Sequence, residues 1–299
     1  MKEIDFIKTI TNIVDNQYIG DDCAFLKDLG IVISQDSLVE NIHFKRQWCT
    51  PYQLGYKAIT VNISDILASG AKPKYVTVAL SLPKDISEDY VKEFYRGAKS
   101  ALYGAKIVGG DITGSNTDII VSVAAIGVTN GRNISSRSYA KEGYIVVTKG
   151  MHGTSSAGLA ELMKGGENDT LIKAHLEPQV EYEFSKQIST LVKDKYAMID
   201  TSDGIADALF RIAEASNVKL VIDYDKIPKM KNITEEQVLF GGEDYKLVAA
   251  IPKKYLPQIN GASVIGFVEK FDGTRLEIAG KKYSSYDELD VYNHFGDLK

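Results

Sequence analysis

Tyr52-Gln53-Leu54-Gly55-Tyr56-Lys57-Ala58-Ile59-Thr60-Val61-Asn62-Ile63-Ser64-Asp65-Ile66-Leu67-Ala68-Ser69-Gly70 is the stretch that decides the architecture. Its apolar residues keep helical spacing but occupy more than one face. Leu54, Ala58, Val61 and Ala68 share a side with Asp65, while Ile59, Ile63, Ile66 and Leu67 fill much of the other. A helix that is apolar nearly all round is buried, and Gly70 stands where a helix-ending glycine belongs. An ionised carboxylate inside such a helix is costly unless a cation or several donors compensate it. Asp65 therefore reads as a metal ligand, with a core ion pair as the competing reading.

Working outward, Gly30–Ser34 reads as a strand running into Gln35-Asp36-Ser37, and Val76–Leu82 as another. The spacing predicts an amphipathic helix over Ser87–Tyr103, a strand Lys106–Val108 ending at Gly109-Gly110-Asp111, and a long strand Ile119–Val128. Between Thr129 and Gly143 the composition turns to Asn, Gly, Arg, Ser and Lys, which places a domain boundary there and divides the chain into 1–138 and 139–299. The second half reads as strand Tyr144–Thr148, a Gly- and Ser-rich turn Gly150–Ser156 opening a helix to Lys164, and a helix Val180–Val192. Strand Ala197–Ile199 then stops at Asp200-Thr201-Ser202-Asp203, ahead of helix Ile205–Ala215. Strands Leu220–Ile222 and Lys246–Ile251 follow, with short strands and turns from Asn260. An opening helix Glu3–Val14 reads as a packing element. The fold class expected is α/β (α+β), in two lobes.

Three of these strands reach an aspartate: Asp36, Asp111 and Asp200. Ligand sites in α/β architectures lie beyond strand ends, so repeated carboxylates there point to a metal or phosphate site, although each alone is equally a turn or capping residue. Ser202 and Asp203 would also cap the helix that follows. Gly109-Gly110 beside Asp111 and Gly241-Gly242 beside Glu243 remove Cβ atoms where a ligand would approach, or where the chain simply turns tightly. Lys57, Arg137 and His43 are the basic residues nearest these motifs and could meet a phosphate.

With 35 basic and 40 acidic residues the chain carries a formal charge of −5, which argues against a generic nucleic-acid surface. An acidic protein that binds phosphates needs cations between the two, and magnesium serves through one or two carboxylates plus phosphate oxygens. GxxxxGK[ST], GxGxxG and HExxH are all missing, as is a kinase-type HRD signature, so a nucleotide site here is of another kind. Cys23 and Cys49 lie far apart without CxxC spacing, and the N-terminal residues offer no apolar h-region. With no run of about 18 apolar residues, the expectation is a cytoplasmic chain that does not enter a membrane.

Taken as a set, Ile19-Gly20-Asp21-Asp22-Cys23-Ala24, Gln35-Asp36-Ser37-Leu38-Val39-Glu40-Asn41-Ile42-His43-Phe44, Gly55 through Pro73, Gly109-Gly110-Asp111-Ile112-Thr113, Asp200-Thr201-Ser202-Asp203-Gly204 and Leu239 through Tyr245 resemble, in order, the signatures of the thiamine-monophosphate kinase family. The resemblance spans about residues 17–250. It implies the two-lobed aminoimidazole ribonucleotide synthetase-like fold, an N-terminal ATP-binding lobe that pairs its sheet with a second subunit's in a homodimer, and a C-terminal α/β lobe. It further implies ATP as co-substrate, thiamine monophosphate as acceptor and several magnesium ions at Asp22, Ser34, Gln35, Asp36, Asp65, Asp111, Asp200 and Asp203. Gly110, Asp111, Arg137 and Ser202 match ATP-contact positions; His43, Glu243 and Tyr292 match positions that contact the acceptor. Two departures stand out: Gly114 where the family usually has arginine, and Gln35 where threonine is common beside Asp36. The other superfamily chemistries fit less well, because neither a reactive N-terminal cysteine nor a C-terminal one is present.

Overall fold

The computed structural model describes residues 3–14 and 18–292. In the first lobe, helix α1 (Glu3–Val14) precedes strands β1 (Ala24–Leu26) and β2 (Ile31–Val39), the helix α2 (Pro51–Ala68) and strand β3 (Lys72–Leu82). Helix α3 (Glu88–Ser100) and strands β4 (Lys106–Gly114) and β5 (Ile120–Val128) complete it. The five strands form one sheet in the order β1-β2-β5-β3-β4.

Helix α2 starts where local chemistry dictates. Thr50 accepts a hydrogen bond from the Gln53 amide and Gln53 returns one from the Thr50 amide, with Pro51 inside the first turn. The helix is buried on nearly every side, as its sequence requires, between the first sheet, α3 and the second lobe. Its approach to α3 depends on two glycines. A Cβ at Gly55 would lie 1.9 Å from the Phe94 carbonyl oxygen, and one at Gly97 1.8 Å from that of Tyr52. Since backbone must move to admit either methyl, Gly97→Ala should destabilise the lobe by about 1–3 kcal/mol or more; a lower urea midpoint at unchanged slope would register it.

The second lobe contains β6 (Tyr144–Lys149), α4 (Thr154–Lys164), α5 (Asp169–Leu176), α6 (Tyr182–Leu191), β7 (Ala197–Asp200) and α7 (Ile205–Ser216). It continues with β8 (Val218–Ile222), α8 (Glu235–Phe240), β9 (Leu247–Pro252), β10 (Ser263–Lys270), β11 (Leu276–Ile278) and β12 (Lys281–Tyr283). Its seven-stranded sheet runs β12-β11-β8-β10-β6-β9-β7. Alternation sorts its two faces: Met198, Leu247 and Ala249 join the core shared with the first lobe, whereas Ile199, Val248 and Ala250 pack under α7. The fold is therefore the mixed α/β, two-lobed arrangement expected.

Several boundaries differ from the sequence reading. Neither β2 nor β4 stops before its aspartate. Antiparallel pairing with β5 is unbroken from Ile31↔Val128 to Val39↔Ile120, so Asp36 is a mid-strand residue. Asp111 likewise sits within β4, opposite Ala79 of the parallel strand β3. Of the three aspartates, only Asp200 closes its strand. The glycine at 110 has a packing cause, because a Cβ there would come within 1.9 Å of the Val78 oxygen. Helices α5 and α8 were not anticipated. Of the α1 residues read as packing, Ile10, Ile13 and Val14 are exposed, whereas Ile7 is half-buried.

Candidate active site

A cleft of about 790 Å³ opens between the lobes, a size that accommodates a nucleotide and a small acceptor. From the first lobe it is lined by Asp22, Ser34, Gln35, Asp36, His43 and Asp65, and from the second by Ser202, Asp203, Glu243 and Tyr292. Arg137, in a short helical turn between the lobes, also reaches it. Asp200 lies immediately beneath.

Carboxylate oxygens of Asp22, Asp65 and Asp200 all lie within 4.8 Å of one another. Three elements bring them together: the turn ahead of β1, the buried helix α2 and the end of β7. Ser34 Oγ donates to Asp65, and Ser64 Oγ donates to Asp200 at 2.5 Å. The cationic partner in this group is Arg137, whose guanidinium meets Asp22 at 2.8 Å while its backbone amide donates to Asp21. Burial pushes the Asp22 carboxyl up against the pull of Arg137. Burial, then the charges of Asp36, Asp200 and Asp22, raise Asp65 well above the usual range; burial and then Asp22 take Asp200 to about 8. A buried, mutually repelling carboxylate cluster with a single guanidinium is a donor set that fits a divalent cation. Among the described residues no basic side chain pairs with Asp65, an arrangement that suits a metal ligand and not a core ion pair.

Asp203 and Ser202 line the cleft mouth, and the N-cap of α7 is Gly204 rather than either of them. Asp203 lies 4.0 Å from Arg211. The backbone amide of Asp36 donates to Asn62 Oδ1, fixing β2 onto α2. His43 accepts at Nδ1 from the Val39 amide at 3.0 Å, which leaves Nε2 as the proton-bearing nitrogen of the neutral ring.

The structure does not bring Gly110 and Asp111 into this cleft. Reading across the sheet, Asp36 aligns with Val123, Val78 and Gly110, whereas Asp111 aligns with Ala79, Ser122 and Ser37. Because alternate strand residues face opposite sides, Asp111 points to the face away from α2. That face carries half-buried or exposed Ile31, Ile33, Ser37, Ile120 and Ile126, and also the Gln35 side chain, which donates to Ser122 Oγ so that Gln35 borders the cleft only through its backbone. On the edge strand β4, Val108 and Ile112 are exposed, Ile112 on the side opposite to Asp111.

Other cleft residues went unnoticed in the sequence. Arg211 of α7 meets Asp207 at 2.7 Å and Tyr286 at 3.0 Å, and both α7 residues line the cleft. Ser155, Ser156 and His175 enter from α4 and α5. The i,i+4 spacing of Asp207 and Arg211 was the one available signal for the first pair; nothing local marks His175. Lys57, which the sequence left open to a surface position or a phosphate contact, is instead buried and meets Glu243 Oε1 at 2.9 Å.

Residues 20–129 match the family described as "AIR synthase related protein, N-terminal domain", and residues 141–268 match its C-terminal counterpart. Along nearly its whole length the chain is 32% identical to the thiamine-monophosphate kinase of Bacillus subtilis, covering 99% of this chain and 100% of that one. The corresponding enzyme of Aquifex aeolicus is 34% identical, over 94% and 95%. The chain belongs to the thiamine-monophosphate kinase family. A solved structure of AaThiL complexed with AMPPCP and TMP superposes with a TM-score of 0.88 at 32% identity, covering 98% of this chain and 97% of the other. Thiamine monophosphate kinase from Aquifex aeolicus gives 0.84 at 33% identity, over 95% and 98%.

Proposed function

We propose that this kinase transfers the γ-phosphoryl group of ATP directly to the phosphate of thiamine monophosphate, giving thiamine diphosphate and ADP, the last step of thiamine diphosphate formation. The observation that carries the reading is the cleft in which Asp22, Asp36, Asp65 and Asp200 converge opposite His43 and Glu243, in a chain with whole-length kinase relatives. AMPPCP is an ATP analogue, so the two molecules named for the superposed relative are the two substrates proposed here.

The acceptor is a phosphate monoester whose second ionisation lies near pH 6, so at neutral pH it is already an anionic nucleophile and no general base is needed. The obstacle is repulsion between two anions, and in-line positioning with charge neutralisation removes it. Magnesium ions held by Asp22, Asp36, Asp65 and Asp200, with Ser34, Gln35 and Asp203 beside them, would supply that neutralisation. Arg137 holds Asp22 in place and, with Ser202, borders the nucleotide; His43, Glu243 and Tyr292 orient the acceptor. The two free, buried cysteines suit a cytoplasmic protein; among the described residues no helix is long and apolar enough to cross a membrane.

The division into 1–138 and 139–299 is kept in this reading. The homodimer is also part of it. An uncovered sheet face calls for a second layer, and a second copy laying its own sheet there would take up Ile31, Ile33, Ile120 and Asp111. Light scattering on the purified chain should return two copies per particle. For the activity, ADP release should require thiamine monophosphate and should not occur with thiamine, which lacks the nucleophilic phosphate; equal rates with both would overturn the acceptor assignment.

A further inference from the structure

Beneath the acceptor end of the cleft lies a charge the mechanism above does not use. Lys57, on the buried helix α2, has a side chain only 2% exposed, yet its Nζ sits 2.9 Å from Glu243 Oε1. From α5, His175 brings Nδ1 to 3.4 Å from Glu243 Oε2 and 3.0 Å from Ser155 Oγ, with its side chain 5% exposed. Glu243 itself is 24% exposed and lines the cleft, as His175 does; Lys57 does not. The glutamate also sits in the left-handed backbone region, with φ +65°, and Tyr245 follows at +51°.

This segment is held from both sides. The Glu243 amide donates to the Ser202 carbonyl, and the Asp244 carboxylate accepts from the Gly153 and Ser155 amides and from Thr154 Oγ1 at the start of α4. Strain that is over-determined in this way clusters at functional sites. A buried ion pair is a weak device for stability, since an apolar pair of the same shape serves as well. Its use at the base of a cleft asks for another reason.

We propose that Lys57, assisted by His175, is a positioning residue for acceptor recognition, holding the Glu243 carboxylate as a fixed hydrogen-bond acceptor at the cleft wall. This deepens the kinase reading and rests on it. Lys57 never touches substrate; it acts through Glu243. The groups facing that carboxylate are Lys57 from α2, His175 from α5, His43 from the loop after β2, and Tyr245 two residues on. Burial would raise the Glu243 carboxyl, but Lys57, His175 and His43 together hold it below its ordinary value. Burial and Lys57 take His175 to about 4, so near neutrality it contributes a neutral ring. Without Lys57, Glu243 would be left in a buried setting with its principal counter-charge gone, and burial would then favour its protonated form.

The test compares wild type, K57M, E243Q and the K57M/E243Q double variant, with KM for thiamine monophosphate, KM for ATP and kcat measured from acid to alkaline pH. In K57M the acceptor KM should rise about tenfold or more relative to wild type at acid pH. That ratio should shrink as pH rises and Glu243 ionises, while the ATP KM stays within about twofold. The acceptor's own phosphate titration is common to both proteins and drops out of the ratio. The double variant should match E243Q alone, and it leaves no buried charge unpaired, so this comparison holds even where K57M folds poorly. A pH-independent ratio, an equal rise in both KM values, or additive losses in the double variant would overturn the positioning role. If E243Q leaves the acceptor KM unchanged, the assignment of Glu243 as an acceptor contact fails and takes the proposal with it; a raised KM in E243Q beside an unchanged K57M defeats the proposal alone.

Discussion

Asp65→Asn should lower the rate of phosphoryl transfer by about 10³-fold while leaving the fold intact. Asp65 sits on the most buried helix of the chain and faces Asp22 and Asp200 at the base of the cleft. Among the described residues it has no basic partner, Arg137 being engaged by Asp22. An amide of the same shape keeps the hydrogen bond from Ser34 but removes the negative charge on which cation binding depends. In the absence of metal the variant should melt no lower than wild type, because a costly buried charge has gone. Turnover assays alongside thermal melts would separate the two effects; near wild-type turnover would refute Asp65 as a metal ligand.

The metal-free protein should lose stability as pH rises from about 6.5 to about 8, and magnesium should restore it. Asp200 has a folded value of about 8 against an ordinary 3.8, and Asp65 and Asp22 shift in the same direction. The folded state therefore binds more protons than the unfolded chain across that range, and stability present at low pH is lost as pH climbs through the folded value. His152 and His175, depressed to about 3 and about 4 by burial, act with the opposite sign, but only below 6.5. Between 6.5 and 8 the raised carboxylates dominate the slope; at the alkaline end Cys23 and Cys49, also raised by burial, add to it with the same sign, and the lowered Lys246 opposes it, so the Asp200 variant isolates the cluster. Melting temperatures at pH 6.5 and pH 8.5, with chelator and with excess magnesium, should diverge at the alkaline end. Asp200→Asn should flatten the chelated curve. A chelated protein equally stable at both pH values would argue that the cluster is not a site of unbalanced negative charge.

Helix α2 was legible because burial, amphipathicity and capping all act locally, so its sequence carries them directly. The reach of β2 and β4 was not. Whether a strand continues past Ser34 or Val108 depends on what its neighbour offers, and β5 pairs Asp36 with Val123 across a span of 87 residues of chain that no local pattern encodes. Helix α5 was hidden by its length of 8 residues and by the glycines at 165 and 166 before it. In the site, the aspartates could be singled out because a carboxylate in an apolar helix or at a strand end violates local expectation. Lys57 could not be assigned from sequence: on α2 it reads as one more basic residue, and only the chain reversal that delivers Glu243 from the other lobe reveals its partner. The same limit applied to Asp111, whose motif is plain but whose direction depends on sheet register.

Direct transfer to a phosphate acceptor in the aspartate-lined cleft can be read from the fate of labelled γ-phosphate. Purified protein is given γ-labelled ATP, magnesium and thiamine monophosphate, and the products are resolved by chromatography. Label should appear in the terminal phosphate of thiamine diphosphate in equal amount to ADP, be lost on chelation and return when magnesium is restored. Label appearing in inorganic phosphate, with thiamine monophosphate unchanged, would contradict direct transfer.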